Sequence, residues 1–181
     1  DLYNQAIMDF GALQCVPQSP DCAVCPLQDG CCAYAEGLVE RLPVKEGKTV
    51  VKSRYFNYLH ISCGDYTLLH RREAKDIWRN LYEYPLIETA EAVDFHELQQ
   101  STEYRDLMAD IDTVHVLHSV EMPRHVLSHR IIYARFYRIE VSGFGPGMQH
   151  YLNVKTDELG KYAFSRLIEL YLAKREKSEY R

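Results

Sequence analysis

The chain of 181 residues has one tryptophan, no excess of positive charge and no long apolar run. A membrane-spanning helix needs roughly 20 consecutive apolar residues, and no stretch approaches that length, which excludes helical membrane spans. The formal net charge of -5 argues against strong nucleic-acid binding by these residues alone, because phosphate neutralisation by Lys and Arg dominates such affinity. The acidity is uneven. Residues 1–51 carry three basic and seven acidic side chains, and the remainder is nearly neutral. A DNA partner therefore stays open only if another part of the protein supplies the positive surface. No secretory leader is recognisable. A reducing, cytoplasmic compartment is expected, and the six cysteines point to metal before disulfide. No internal repeat is present.

Three stretches organise what is there. Residues 1–36 read as a helix, a cysteine-rich loop and a short helical turn. In "DLYNQAIMDFGALQ", apolar residues stand nearly all round the helix, so it should be buried on most sides. Little nearby can bury it, and the chain opens on Asp1 and not Met, so it is expected to be the C-terminal piece of something longer. Residues 37–53, "GLVERLPVKEGKTVVKS", mix charge with Gly and Pro without a period and read as an extended interdomain linker. Residues 54–181 read as a compact α+β domain with flanking helices. Gly64-Asp65 should turn a hairpin between two strand-like runs. "LYEYPLI" reads as one short strand carrying a proline. Asp94 and Glu97 are spaced as a capping pair before one helix or two short ones. "VHVLHSVEM" and "RIIYARFYRIEV" read as strands, and "SGFGPG" reads as a loop. The end reads as an amphipathic helix with Phe164, Leu167, Ile168 and Tyr171 on one face.

The cysteines carry the chemistry. Cys15, Cys22, Cys25 and Cys31 lie within "CVPQSPDCAVCPLQDGC", and only one Cys-x-x-Cys pair occurs. Thiolates are soft ligands that suit a [4Fe–4S] cube or a tetrahedral zinc. Zinc sites usually join two such pairs across a dozen or more residues. Four cysteines in one loop favour the cluster; zinc and unligated cysteines remain alternatives. Cys32 is an extra thiol, expected to be a small buried residue and not a ligand. His115, His118, His125 and His129 are weighed as a zinc set against scattered surface histidines, and the latter is the better reading.

The cysteine spacing, with Pro26 and Leu27 after the third cysteine, resembles the iron–sulfur loop of the endonuclease III superfamily of DNA glycosylases. The preceding "NQAIMDFGALQC" resembles its adenine-specific MutY branch at Asn4, Gln5, Ala6, Met8, Asp9, Gly11 and Ala12. The resemblance implies a structural cluster that shapes a loop against the DNA backbone. It departs from the family between the first two cysteines, where "VPQSPD" has no Lys or Arg and ends on Asp21.

The MutY branch continues into a Nudix/MutT-like mixed-sheet domain that recognises 8-oxoguanine, and residues from about 54 onward fit that order of elements. "IWRNLYEYP" is similar to the family's Trp-x-x-Leu-Tyr-x-Phe-Pro stretch, with Tyr84 in the Phe position; a core-capping role for Trp78 is an equal reading. "RHVLSHRIIYARF" resembles the stretch whose Phe-Ser-His loop meets the lesion. Leu127, Ser128 and His129 take those positions, with turn chemistry as the plain alternative for the Ser-His pair. Leucine keeps an apolar wedge and loses aromatic stacking. The Nudix hydrolase signature with its Arg-Glu-x-x-Glu-Glu run is missing after Pro85, so hydrolysis of that type is not expected.

The resemblance thus implies the C-terminal part of an adenine DNA glycosylase for base excision repair, acting as a monomer on double-stranded DNA with an A:8-oxoguanine or A:G mispair. Flipping of the adenine, protonation by a carboxylic acid and stabilisation of the sugar by a carboxylate are the implied mechanism. In this family both carboxylates lie before the cluster, and no matching stretch occurs here. No catalytic residue is assigned, and this chain alone is expected to be inactive. The alternatives are an endonuclease III-like glycosylase/lyase for oxidised pyrimidines and a non-enzymatic metal-stabilised DNA-binding module.

Overall fold

The computed structural model describes residues 2–16, 18–42, 44 and 51–179. It divides into two compact units, Asp1–Thr49 and Val50–Arg181. The first holds helix α1 (Leu2–Gln14), single turns at Cys22–Val24 and Gln28–Gly30, the short helix α2 (Cys32–Ala35) and a further turn at Val39–Arg41. That last turn falls inside the stretch read as an extended linker, whose residues 43 and 45–50 lie outside the described residues. The apolar face of α1 does not meet the expected burial: Leu2 and Leu13 are 87% and 81% exposed, and the helix has no buried residue. No described helix is long and apolar enough to cross a membrane.

The second unit is a mixed sheet of eight strands: β1 (Lys52–Cys63), β2 (Tyr66–Arg71), β3 (Tyr82–Glu83), β4 (Leu86–Thr89), β5 (Val114–Glu121), β6 (His125–Leu127), β7 (Arg130–Val141) and β8 (Leu152–Lys155). The main order is β3-β2-β1-β7-β5, with β4 on β1, β6 on β7 and β8 on β2. β1 and β7 run parallel from Lys52↔Arg130 to Ser62↔Glu140, and the other pairings are antiparallel. Six consecutive residues of β1, Phe56 to Ile61, are buried, as expected of a strand covered on both faces.

Strand alternation sorts the core into two layers. Phe56, Tyr58, Ile132, Ala134 and Phe136 share one with Leu167, Ile168 and Tyr171 of the closing helix α5 (Arg166–Glu179). There the rings of Tyr58, Phe136 and Tyr171 stack at 4.8 and 4.0 Å, each contact contributing about 0.5–1.5 kcal/mol beyond area burial. Leu59, Ile61, Tyr137 and Ile139 form the other with Leu98, Tyr104 and Leu107 from α3 (Phe95–Gln99) and α4 (Thr102–Leu107).

Local chemistry explains most elements. Gly64 takes φ +54 in the turn closed by Cys63↔Tyr66, a conformation open to glycine. Asp94 and Glu97 form the capping box of α3, with Glu97 N–H donating to Asp94 Oδ1 at 2.8 Å and Asp94 N–H to Glu97 Oε2 at 2.9 Å. "LYEYPLI" is two strands and not one. Pro85 has no N–H for a ladder, and the chain passes there from β2, the partner of β3, to β1, the partner of β4. Phe164 precedes α5 and bridges to Tyr82.

Candidate functional site

Two sites emerge, one in each unit. In the first, Cys15 follows α1 and its N–H donates to Gly11 O at 3.2 Å. The turn at Cys22–Val24 brings Cys22 and Cys25 together, with Cys25 N–H on Cys22 O at 3.2 Å. The next turn returns Cys31, whose N–H meets Gln28 O at 3.0 Å. Gln14 Nε2 donates to Asp21 O at 2.6 Å and ties the intervening loop to α1. All four cysteines line one cavity of about 180 Å³. Partial desolvation, then the negative charge of Cys25, Cys31 and Cys15, pushes the Cys22 thiol up. No cysteine is in a disulfide. Among the described residues, no group of three or more His, Cys, Asp or Glu is gathered tightly enough for a single metal ion. Four thiols around a cavity suit a body whose corners each take one thiolate, as a [4Fe–4S] cube does. Cys32 is exposed and not buried: it opens α2 beyond the fourth cysteine and is not among the residues that line the cavity.

The second site is the β6–β7 hairpin. Leu127 pairs with Arg130, leaving Ser128 and His129 as an exposed turn. Lys52 N–H donates to His129 O at 3.1 Å, which anchors the tip to the start of β1. Leu127, Ser128, His129 and Arg130 line a cavity of about 340 Å³ with Asp76 and Ile77. Trp78 is half-buried on the core, edge-on to Phe56 at 6.1 Å and to His125 at 5.7 Å. It caps the core from the loop between β2 and β3. The structure therefore brings Leu127, Ser128 and His129 together and sets Trp78 beneath the same hairpin, behind His125. His115 and His118 are exposed on β5, away from the turn that carries His129.

Sequence reasoning missed the ion cluster below the tip. Asp76 accepts from Arg54 Nη1 at 2.7 Å, Arg72 Nη2 at 3.1 Å and Arg130 Nη1. Arg54 also grips Glu88 through two bonds of 2.6 Å. Arg72 Nη1 meets both oxygens of Glu83, at 2.8 and 2.7 Å. Desolvation pushes the Asp76 carboxyl up, but hydrogen bonds from Arg54, the Ile77 N–H and Arg130 outweigh it and hold the group well below the usual carboxylate range. No local pattern announces a pair 54 positions apart. Of the acids after Pro85, Glu88 joins this cluster through Arg54, Glu97 closes the capping box, and Glu103 sits in the first turn of α4.

Residues 15–31 match the iron–sulfur binding domain of endonuclease III, and residues 57–174 match the NUDIX domain. Curated relatives include adenine DNA glycosylases of Buchnera aphidicola from Schizaphis graminum and from Baizongia pistaciae. They are 34% and 32% identical over 87 and 85 residues, spanning 48% and 46% of this chain. An adenine DNA glycosylase of Schizosaccharomyces pombe is 46% identical over 48 residues, 26% of this chain and 10% of its own length. The chain spans about a quarter of the length of the two Buchnera relatives. Similar solved structures include a Nudix hydrolase of M. smegmatis, RenU, at 11% identity and TM-score 0.45 over 75% of this chain and 96% of that one. Another is the C-terminal domain of mouse MUTYH, solved in complex with human PCNA, at 14% identity and TM-score 0.47 over 70% of this chain and 89% of that one. The cavity ringed by four thiols fits the iron–sulfur segment, whose cofactor is a [4Fe–4S] cluster. With most of its length in the matched domain, the chain belongs to the NUDIX domain family, preceded by an endonuclease III-type iron–sulfur segment.

Proposed function

We propose that this chain is the cluster-bearing and lesion-reading part of an adenine DNA glycosylase of base excision repair. Its substrate would be double-stranded DNA with adenine opposite 8-oxoguanine or guanine. The observation that supports this reading best is the union, in one chain, of the iron–sulfur segment with a Nudix domain whose Ser128–His129 tip stands exposed beside a cavity of about 340 Å³.

In this reading Cys15, Cys22, Cys25 and Cys31 hold the cluster. Bound there, it supplies a rigid body around which the loop folds, because metal binding and folding are coupled. Leu127 offers an apolar wedge, and Ser128 meets the altered edge of the oxidised purine. A hydroxyl both accepts and donates, so it can satisfy the N7–H that 8-oxoguanine has and guanine lacks. Leaving such a group unpaired costs about 1–3 kcal/mol, enough for roughly five- to 150-fold discrimination. His129 and Trp78 shape the loop that carries the hydroxyl. The acidic loop at Asp21 contributes little phosphate attraction, so DNA affinity comes chiefly from other residues of the protein.

Single-turnover base release by the gene's full-length, iron-loaded product tests the proposal. Adenine should be released faster opposite 8-oxoguanine than opposite guanine, and the 181-residue chain alone should release none. Absence of adenine release from the full-length product overturns the reading.

A further inference from the structure

The loop between β2 and β3, residues 72–81, is built to hold a fixed shape. Arg72 N–H donates to Leu81 O at 2.9 Å, and Asn80 N–H returns to Arg72 O at 2.8 Å. The Arg72 side chain crosses the loop to Ile77 O at 3.0 Å. Trp78 and Asn80 both take left-handed backbone angles, φ +58 and +70; asparagine visits this region readily, but a residue as bulky as tryptophan adopts it only when its surroundings enforce it. This loop touches the β6–β7 hairpin twice, through Asp76 to Arg130 and through Trp78 to His125. Arg130 is the residue immediately after the Ser128–His129 turn.

The three guanidiniums around Asp76 are not equivalent. Arg54 has Glu88 as a second partner and Arg72 has Glu83. Arg130 reaches into the cluster from the hairpin, and its side chain is 37% exposed, more than the 17% of Arg54 or the 10% of Arg72. Asp76 therefore couples a braced loop to the partly exposed arm of the tip. Charge-assisted bonds of this kind fix geometry as well as add energy.

We propose that Asp76 is a positioning residue for lesion discrimination: by clamping Arg130 it sets the height and tilt of the Ser128 hydroxyl against the base. The inference rests on the proposed function and adds a residue that touches no DNA. Misplacing a reacting or reading group by 1 Å can cost on the order of a hundredfold, so loss of the clamp acts on the preference for 8-oxoguanine and not evenly on both substrates.

Two readouts test it. Hydrogen exchange on the 181-residue chain follows the hairpin amides of His125 and Leu127, which face β7. Single-turnover release by the full-length product gives the ratio of rates opposite 8-oxoguanine and guanine. Asp76→Asn and Arg130→Gln should each speed hairpin exchange about tenfold and lower the ratio about tenfold, with the double variant no worse than either alone. Asp76→Glu should retain most of the ratio. Glu88→Gln, which perturbs the same cluster through Arg54 only, should change both readouts less than about twofold. Arg130→Gln, at a partly exposed side chain, keeps the test valid if Asp76→Asn folds poorly. A ratio within about twofold of the parent in both variants overturns the inference, as does an equal fall on both substrates. If the parent itself shows no preference for 8-oxoguanine, the proposed function fails before any variant is made, and the two failures are told apart.

Discussion

Replacing Arg72 with methionine should cost the Val50–Arg181 unit about 3–5 kcal/mol at pH 8, the usual penalty for stranding a buried charge. Glu83 shows 3% side-chain exposure and accepts both bonds of 2.8 and 2.7 Å from Arg72 Nη1. Without them its carboxylate keeps only the Tyr58 hydroxyl at 3.0 Å and the neighbouring His70 Nε2 at 3.3 Å. Methionine fills most of the volume of the arginine stem, so the cavity contribution is small; the bonds of Arg72 to Asp76 and Ile77 O are lost as well, and the share of the stranded charge is the part recovered by removing it at Glu83. Protonation limits the damage. Burial already pushes the Glu83 carboxyl up, against the pull of Arg72, and removing the arginine pushes it further. A folded pKa above the unfolded value near 4.3 means that the folded state binds more protons, so stability rises as pH falls through that interval. The deficit of Arg72→Met relative to the parent should therefore be larger at pH 8 than at pH 5. Adding Glu83→Gln, which removes the stranded charge, should recover more than about 1 kcal/mol. Urea unfolding followed by the fluorescence of Trp78, the single tryptophan, reports this unit directly. A loss under about 1 kcal/mol at pH 8, or a deficit that does not change with pH, would refute the reasoning.

Other residues offer independent checks. Burial, then the charges of Arg175 and Arg138, pulls His60 down to about 3, with its Nδ1 2.8 Å from the Tyr171 hydroxyl. Below pH 6.5 the unfolded chain takes a proton that the folded one refuses, so stability should fall by about 2 kcal/mol between pH 7 and pH 5 on this account. His60→Gln should flatten that slope in urea titrations at each pH, and an unchanged slope would show that another group controls it. A Cβ on Gly147 would enter the backbone of α4 at Asp106 and Leu107, whereas Gly160 faces open space. Thermal melts should show Gly147→Ala losing about 1–3 kcal/mol and Gly160→Ala staying within about 0.5 kcal/mol; equal effects would contradict the packing described. Cys25→Ser should lower bound iron in the purified chain, read as iron per protein and visible absorbance, whereas Cys32→Ser should not.

What could be read from the residues was whatever a few neighbours decide. The Gly64-Asp65 turn, the Asp94/Glu97 capping box and the long strands β5 and β7 each carry their signal within a dozen positions. The cysteine loop belongs with them, because its spacing alone gathers four thiols around one cavity. β6 and β8 escaped notice because three or four residues are too few for alternation to show. The break at Pro85 came from a competition between two partner strands that no local pattern records. The same holds for the clamp: Asp76 and Arg130 are ordinary charged residues in sequence, and only the fold sets one against the other. Helix α1 shows the opposite case. Its composition asks for burial, and within the described residues Leu2, Tyr3, Met8 and Leu13 stay exposed.

In the proposed function the Ser128 hydroxyl, held at an exposed hairpin tip, distinguishes 8-oxoguanine from guanine opposite the target adenine. Single-turnover adenine release by the full-length product carrying Ser128→Ala tests it most directly. The rate opposite 8-oxoguanine should fall about five- to 150-fold, as one lost hydrogen bond to a buried base edge implies, with the rate opposite guanine nearly unchanged. Equal rates for parent and variant on both duplexes would contradict it.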